Sequence, residues 1–330
     1  MWTEIITVIQ NHHHFVLTAH VNPDCDALGS ELALAELLTG LGKHVTILNT
    51  DRTPPFFEFL DARGLIKQYS ARKHARLLKQ AEVIFVLDAS GGWERVGRLG
   101  EMLAHNQAVK ICLDHHSETG AFADITVIDP EAAATAELIY SLVRAMNGII
   151  SPDMARWLYA AIMTDTGNFR FPKTSPRTHH ITANLLAAGA NPLELYRQVY
   201  ERYSVNWVRL KGHVLDAIQT TANGQIAYYG LSQDTLKAYG VDPLDLDGFA
   251  SLGQQIGGVR VVVFGVERAR GRVKLSLRSD GTIAINQIAA EYNGGGHPSA
   301  AGATIEGSLA KVLDETVEKV KRLLVVDKPR

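Results

Sequence analysis

The sequence predicts an α/β protein: a doubly wound domain on a parallel sheet, followed by a smaller mixed α/β domain. Three observations carry this. Up to about residue 190, short β-branched runs alternate with amphipathic helical stretches. The runs FVLTAH, HVTILN, VIFVLD and AVKICLD lack the polar alternation of half-exposed strands, so both faces of their sheet are covered. Further on, VRVVVFGVE and RVKLSLRS flank the turn Ala269 to Gly271 as a hairpin, a different organisation. A chain of 330 residues suits two domains.

Taken in order, FVLTAH (15–20) is the first strand, and ALGSELALAELLTGLG after Asp26 is a helix ending at Gly40 to Gly42. In TAELIYSLVRAM, the residues Leu138, Ile139, Leu142, Val143 and Met146 share one helical face. Residues 191–222 are rich in helix formers without a convincing strand and read as one or two connecting helices. Then come a strand in QIAYYGL, a helix around Asp234 to Tyr239, the hairpin, a helix in IAINQIAAEY, the glycine-rich GGGHPSAAGA and a final amphipathic helix, SLAKVLDETVEKVKRLL. The expected division is 1–190 for the first domain, 191–222 for a helical linker and 223–330 for the second, with an active site expected in a cleft between domains.

Lys and Arg number 33 against 35 Asp and Glu, a formal charge of −2. That excludes a generic polyanion binder held by bulk charge and leaves nucleic acid that is short or gripped locally. Cys25 and Cys112 form no spacing motif, MWTEIITVIQ lacks a basic stretch followed by an apolar one, and no apolar run reaches the roughly 18 residues of a membrane span. A reducing cytoplasm with no membrane attachment is the expected setting. Oligomeric state stays open, a homodimer included.

The chemistry sits where predicted strands run out: His20, Asp24 and Asp26 in HVNPDCDALGS, Asp88 in VIFVLDAS, Asp114, His115 and His116 in ICLDHH, and Asp165 in IMTDTGNF. Carboxylates after apolar strands converge on the edge where α/β sheets bind ligands. Crowded there they repel unless a cation holds them, and mixed imidazole and carboxylate donors suit divalent transition metals. The first segment alone reads equally well as a helix cap and a sheet-end histidine. Asp88 tips the balance, because a lone carboxylate at a buried strand end is costly to desolvate. Position separates these residues from other histidines: His12, His13 and His14 end the N-terminal helix without carboxylate neighbours, His179 and His180 follow Pro176 on a helix, and both groups read as solvated.

His20, Asp24, Asp26, Asp88, His115 and Asp165 make six ligands, more than one small cation needs when water and substrate must also bind. Two ions bridged by one carboxylate fit better. The donor set favours Mn²⁺ over Mg²⁺, with Co²⁺ or Fe²⁺ as alternatives. A pair of ions roughly 3.5–4 Å apart clamps an in-line phosphoryl displacement, which implies hydrolysis of a phosphate ester. In the second domain, Gly294, Gly295 and Gly296 open a bend whose N–H groups form an anion-binding nest beside His297. Arg278 and Ser279 end RVKLSLRS, where a guanidinium takes a phosphate bidentately. Arg260, Arg268, Arg270, Arg272 and Lys274 read as a solvated hairpin.

The order H-x-x-P-D-x-D-x-x-G-S (20–30), Asp88, Asp114-His115-His116 and Asp165, together with LSLRS and GGGH, resembles the DHH phosphoesterase superfamily and its associated C-terminal substrate-binding domain. Length and plan are similar to the bacterial nanoRNases, which also act as 3′-phosphoadenosine 5′-phosphate (pAp) phosphatases. The resemblance implies His20, Asp24 and Asp88 at one Mn²⁺, and Asp26, Asp88, His115 and Asp165 at the other, with Asp88 bridging. It implies His116 as the residue that contacts the scissile phosphate or protonates the leaving oxygen, and Asp114 as a supporting carboxylate. It further implies Arg278, Ser279, Gly296 and His297 as holders of the distal phosphate or sugar, with Gly295 beside them. One departure is Cys25, where many relatives carry Gly; it puts an oxidisable thiol beside two ligands.

The expected activity is hydrolysis of short RNA, two to five nucleotides by that resemblance, to mononucleotides, and of pAp to AMP. Cleavage of cyclic di-AMP or linear pApA by a soluble relative is the runner-up. Manganese pyrophosphatases lack the GGGH-bearing domain, and RecJ exonucleases carry additional modules. A non-catalytic nucleotide-binding or RNA-binding protein on this fold predicts a broken ligand set, and here all six ligands are present.

Overall fold

In the computed structural model, residues 2–117, 120, 122–243, 245–246 and 248–326 are described. The chain divides into two units, Met1–Arg202 and Tyr203–Arg330. In the first, helix α1 (Thr3–Asn11) precedes strand β1 (His14–Ala19), and helix α2 (Cys25–Gly40) leads to β2 (His44–Asn49) and β3 (Ile66–Gln68). Helix α3 (Ala71–Gln80) returns the chain to β4 (Val83–Leu87), and α4 (Arg98–Ala104) brings it to β5 (Val109–Asp114) and β6 (Ile125–Ile128). Helices α5 (Thr135–Ala145), α6 (Pro152–Asp165), α7 (Pro176–Ala187) and α8 (Pro192–Tyr200) complete the unit.

All six strands are parallel, in the order β3-β2-β1-β4-β5-β6. The chain builds outward from β1 to one side and then restarts on the other at β4, so the carboxyl ends of β1 and β4 flank a topological switch point. Both strands are apolar without alternation because both of their faces are covered: β4 is buried throughout and β1 from Phe15 onward. Helix α2 is buried along residues 25–35, with apolar residues on every side, as befits a helix inside the core rather than on its surface. Gly29 lets it approach α6, since a Cβ there would lie 2.7 Å from the Trp157 carbonyl oxygen. Helix starts are written locally: Ser151-Pro152, Ser175-Pro176 and Asn191-Pro192 each place a side-chain acceptor before a proline, and each caps its helix.

The second unit contains α9 (Val205–Asp216), β7 (Gln219–Thr221), β8 (Ile226–Leu231), α10 (Gln233–Tyr239), β9 (Val261–Ala269), β10 (Arg272–Ser279), α11 (Asn286–Glu291), β11 (Gly295–His297), β12 (Ala300–Glu306) and α12 (Leu309–Val326). Its sheet runs β11-β12-β10-β9-β8-β7, parallel only between β8 and β9. The α/β class with a parallel sheet followed by a mixed one is therefore the observed architecture.

Several local expectations are corrected. Asp165 ends helix α6 rather than a strand, because AAIM continues the helix that Ser151 starts. The short strands β3 and β6, three and four residues long, carry too little pattern to read from sequence. Strand β7 falls inside the stretch read as wholly helical. GGGH is no open bend: Gly295 to His297 pair with β12 as an edge strand, and Gly296, at φ +133°, lies where a Cβ would come 2.5 Å from the Ala300 carbonyl oxygen. Nor does the histidine run lack a carboxylate, since Glu82 accepts from the backbone N–H groups of His13 (2.6 Å) and His14 (2.9 Å).

The α2–α6 contact generates a stability prediction. Replacing a helical glycine by alanine ordinarily gains about 0.5–1 kcal/mol, and by valine less. In Gly29→Val the contact with the Trp157 carbonyl reverses the sign, with a net loss of about 1–3 kcal/mol from overpacking. Thermal denaturation followed by circular dichroism should show a lowered Tm; an unchanged or raised Tm would contradict the close helix approach.

Candidate metal centre

The switch point brings the strand-end residues together. Ala19 pairs with Leu87, and Leu87 with Leu113, so His20, Asp88 and Asp114 emerge from three neighbouring strands at one edge. Helix α2 adds two carboxylates: Asp24 is its N-cap, accepting from the N–H groups of Asp26 and Ala27, and Asp26 lies in its buried first turn. Asp165 arrives from the end of α6. Three clusters result, each with donor atoms within 4.8 Å of one another: His20, Asp24 and Asp88; Asp26, His115 and Asp165; and Asp88, Asp114, His115 and His116. Asp88 and His115 each belong to two of them, and together they join all three.

Two histidines are oriented alike. His20 donates from Nδ1 to the Val21 carbonyl (2.8 Å) and turns Nε2 toward Asp88 (3.5 Å) and Asp24 (3.7 Å). His115 donates from Nδ1 to the Ala132 carbonyl (3.2 Å) and turns Nε2 toward Asp165 (3.3 Å) and Asp88 (3.7 Å). A backbone acceptor on one ring nitrogen fixes the tautomer and aims the other nitrogen, which is how metal-binding imidazoles are held. His116 differs. Its Nδ1 lies 2.7 Å from Asp114 Oδ1, and the same oxygen accepts from the His116 backbone N–H (2.8 Å) while Ser90 N–H bonds the other oxygen of Asp114. Asp114 therefore orients His116.

The carboxylates are held by donors that sequence reading missed. The N-terminus of α5 points at Asp26, with the N–H groups of Thr135 and Ala136 donating to its two oxygens at 2.7 and 3.0 Å. The Thr135 hydroxyl donates to Asp88 at 3.0 Å. Lys173 Nζ bonds the His115 carbonyl at 3.2 Å and puts a cation at the same edge. The signal for Thr135 was present, since the helix beginning at TAEL was recognised. The direction of its free N–H groups depends on the fold and could not be read.

Electrostatics follow from this crowding. Burial and the neighbouring carboxylates push Asp26 and Asp165 well above the usual carboxylate range. Burial acts on Asp88 in the same direction, but His116, His20 and His115 outweigh it and hold it well below that range. Burial works to lower His20 and His116, yet Asp24 and Asp88 raise His20 to about 11, and Asp114 and Asp88 raise His116 to about 10. Burial prevails at His115 and lowers it. Five carboxyl groups face three imidazoles, so acidic groups outnumber basic ones at this edge. Imidazole nitrogen and carboxylate oxygen in this proportion fit divalent cations, and the clusters are residues that could hold metal ions.

The backbone is strained here too: Asn22, Asp88, Asn168 and Phe169 all have positive φ, between 52° and 64°. Cys25 is 1% exposed, and burial pushes its thiol far up. It packs in the core as a protonated side chain, so the expectation of an oxidisable thiol beside the ligands is corrected.

In the second unit, Arg278 and His297 both lie opposite Ala300 in register, one from β10 and the other from β11. Residues directly opposite share a sheet face, so the two form one row with Ala300 between them. The next row along is Ser276, Gly302 and Gly295, small residues that leave the surface open, and half-buried Lys274 follows on the same face. Ser279 points the other way: it is buried and donates to the Ile283 carbonyl at 2.8 Å, inside its own turn. Arg260 is engaged locally, its guanidinium bonding the Thr282 hydroxyl at 2.7 Å.

Comparison with known proteins adds a family. Residues 14–162 match the DHH family, N-terminal domain, and residues 223–325 match the DHHA1 domain. The chain is similar to the proteins named bifunctional oligoribonuclease and PAP phosphatase NrnA from Bacillus subtilis and Thermus thermophilus. Identity to the first is 29%, covering 92% of this chain and 93% of the relative. Identity to the second is 32%, covering 93% and 89%. Among solved structures, an exopolyphosphatase-related protein from Bacteroides fragilis superposes with a TM-score of 0.91 at 31% identity, covering 97% of this chain and 96% of that one. With His20, Asp24, Asp26, Asp88 and His115 in the matched N-terminal segment and the Arg278–His297 row in the other, the chain belongs to the DHH family, a DHH domain followed by a DHHA1 domain.

Proposed function

We propose that the chain is a dinuclear-metal phosphoesterase that hydrolyses short oligoribonucleotides to mononucleotides and pAp to AMP. The observation that carries this reading is the convergence of His20, Asp24, Asp26, Asp88, His115 and Asp165 on one sheet edge, with Asp88 common to two clusters. The names of the bacterial relatives support the substrates, and the mixed donor set favours Mn²⁺. Two free, buried cysteines accord with a cytoplasmic setting.

His20, Asp24 and Asp88 would hold one ion, and Asp26, Asp88, His115 and Asp165 the other. When bound, such a pair supplies an activated water and neutralises charge in an in-line displacement at phosphorus. The chain's own groups do the rest. The α5 N-terminus keeps Asp26 in place, and Thr135 keeps Asp88. Asp114 holds the proton on His116 Nδ1, which leaves Nε2 to face the substrate. Asp114, which raises His116, suits the ring to carry a proton and give it from Nε2 to the leaving oxygen. In the second unit, Arg278, Ser279, Gly295, Gly296 and His297 are assigned to the nucleotide's distal phosphate or sugar. Arg278 and His297 would act through their side chains, Gly295 through the open surface it leaves, and Gly296 by letting β11 lie close against β12. Ser279 would act by shaping the turn its hydroxyl closes.

The direct test uses metal-stripped protein with Mn²⁺ restored, assayed in parallel against a ribodinucleotide, pAp, cyclic di-AMP and pyrophosphate. Turnover of the first two, abolished by stripping and returned by Mn²⁺, is expected; activity confined to pyrophosphate or to cyclic di-AMP would overturn the assignment. His116→Ala should lower kcat by about 10²–10⁴ while Mn²⁺ binding stays intact, because the lost group moves a proton rather than holding an ion. Arg278→Ala should raise KM for pAp with kcat nearly unchanged; a fall in kcat alone would remove Arg278 from substrate binding.

A further inference from the structure

The metal edge rests on a buried residue that the reading above does not use. Glu31 lies in α2 at 0% exposure, a position where an unpartnered carboxyl is costly. Burial raises it to about 8 against the opposing bond from Asn49. That bond runs from Asn49 Nδ2 to Glu31 Oε2 at 2.8 Å, and Glu31 Oε1 has no hydrogen-bond partner among the described residues. Asn49, 1% exposed, ends β2. Its Oδ1 accepts from the Ala19 N–H at 3.1 Å and from the Thr18 hydroxyl at 3.4 Å. The β1–β2 register runs from His14 and His44 to Leu17 and Ile47, so the Asn49 side chain takes over at the last residue before His20.

We propose that Glu31 is a positioning residue for the metal edge: by fixing which way the Asn49 amide faces, it holds the end of β1, and with it His20, against the helix that carries Asp24 and Asp26. This rests on the metal reading given above. An amide has one acceptor end and one donor end. Glu31 takes the donor end, which commits Asn49 Oδ1 to Ala19. Without an acceptor at position 31 the amide is free to turn, and a turned amide sets NH₂ against the Ala19 N–H, donor against donor, at the strand end that aims His20. Glu31 thus links, through Asn49 at the end of β2, the two elements α2 and β1 that deliver Asp24 and His20 to one ion.

The test measures Mn²⁺ binding to the metal-stripped full chain by calorimetry, with kcat and KM for a ribodinucleotide, in Glu31→Gln, Glu31→Leu and Asp88→Asn. Gln still offers an acceptor to Asn49, so Glu31→Gln should stay within about threefold of the parent in Mn²⁺ affinity and kcat. Leu offers none, so Glu31→Leu should lose about 10- to 100-fold in Mn²⁺ affinity, with kcat falling and KM little changed, as for partners that orient metal ligands. If Glu31→Leu does not fold by circular dichroism, Asn49→Ala, which deletes both bonds with a smaller change in shape, should show the same loss. A folded Glu31→Leu or Asn49→Ala that binds Mn²⁺ like the parent, beside an Asp88→Asn that does not, overturns the positioning role alone. Equal losses in Glu31→Gln and Glu31→Leu also overturn it, because charge and not orientation would then be at work. Parent-like binding in Asp88→Asn, or no binding in the parent, overturns the metal reading and this proposal with it.

Discussion

The repulsion among carboxylates at the end of the parallel sheet is the constraint that the first unit is built to satisfy. Asp26, Asp88 and Asp114 are each at most 2% exposed, so water does little to separate their charges. The fold answers with what it has at that edge: the N–H groups that open α5, the Thr135 hydroxyl, three imidazoles and, at the margin, Lys173. Helix α2 shows the dependence most directly, because the apolar residues that sink it into the core also sink Asp26.

Much of this edge was legible in the sequence because its logic is local. An unalternating apolar run is a buried strand, an acid at its end sits on the ligand side, and a proline after Ser or Asn opens a helix. Those rules find His20, Asp88 and Asp114; the Ser and Asn caps before Pro152, Pro176 and Pro192 are local signals of the same kind, though the start of α6 was not read from them. Asp165 was also found, though from a helix end mistaken for a strand end; the two share a polar residue after a long apolar run, and only the cap at Ser151 tells them apart. What stayed hidden depends on pairs distant in sequence. Thr135 meets Asp26 across 109 residues, and Glu82 meets His13 across 69. No periodicity records such meetings.

The second unit was legible as elements but less so as a surface. Three consecutive glycines suggest a bend, and the sheet uses them otherwise: one strand lies so close to its neighbour that Gly296 has no room for a side chain. Register, which sequence does not display, is what aligns Arg278 with His297 across Ala300 and turns Ser279 to the opposite face. The fragment LSLRS therefore contains two adjacent polar residues whose physical situations are opposite.

The positive backbone angles at Asn22, Asp88, Asn168 and Phe169 have an evolutionary side. Left-handed geometry at a residue other than glycine costs on the order of 1–2 kcal/mol. Glycine at any of these four positions would relax the chain, and at Asp88 it would erase a carboxylate shared by two clusters. A search for more stable sequences of this fold that placed glycine at position 88 would exchange chemistry for robustness there. Stabilising substitutions that leave the activity alone have to be sought elsewhere, at capped helix starts and loops whose backbone is already at ease.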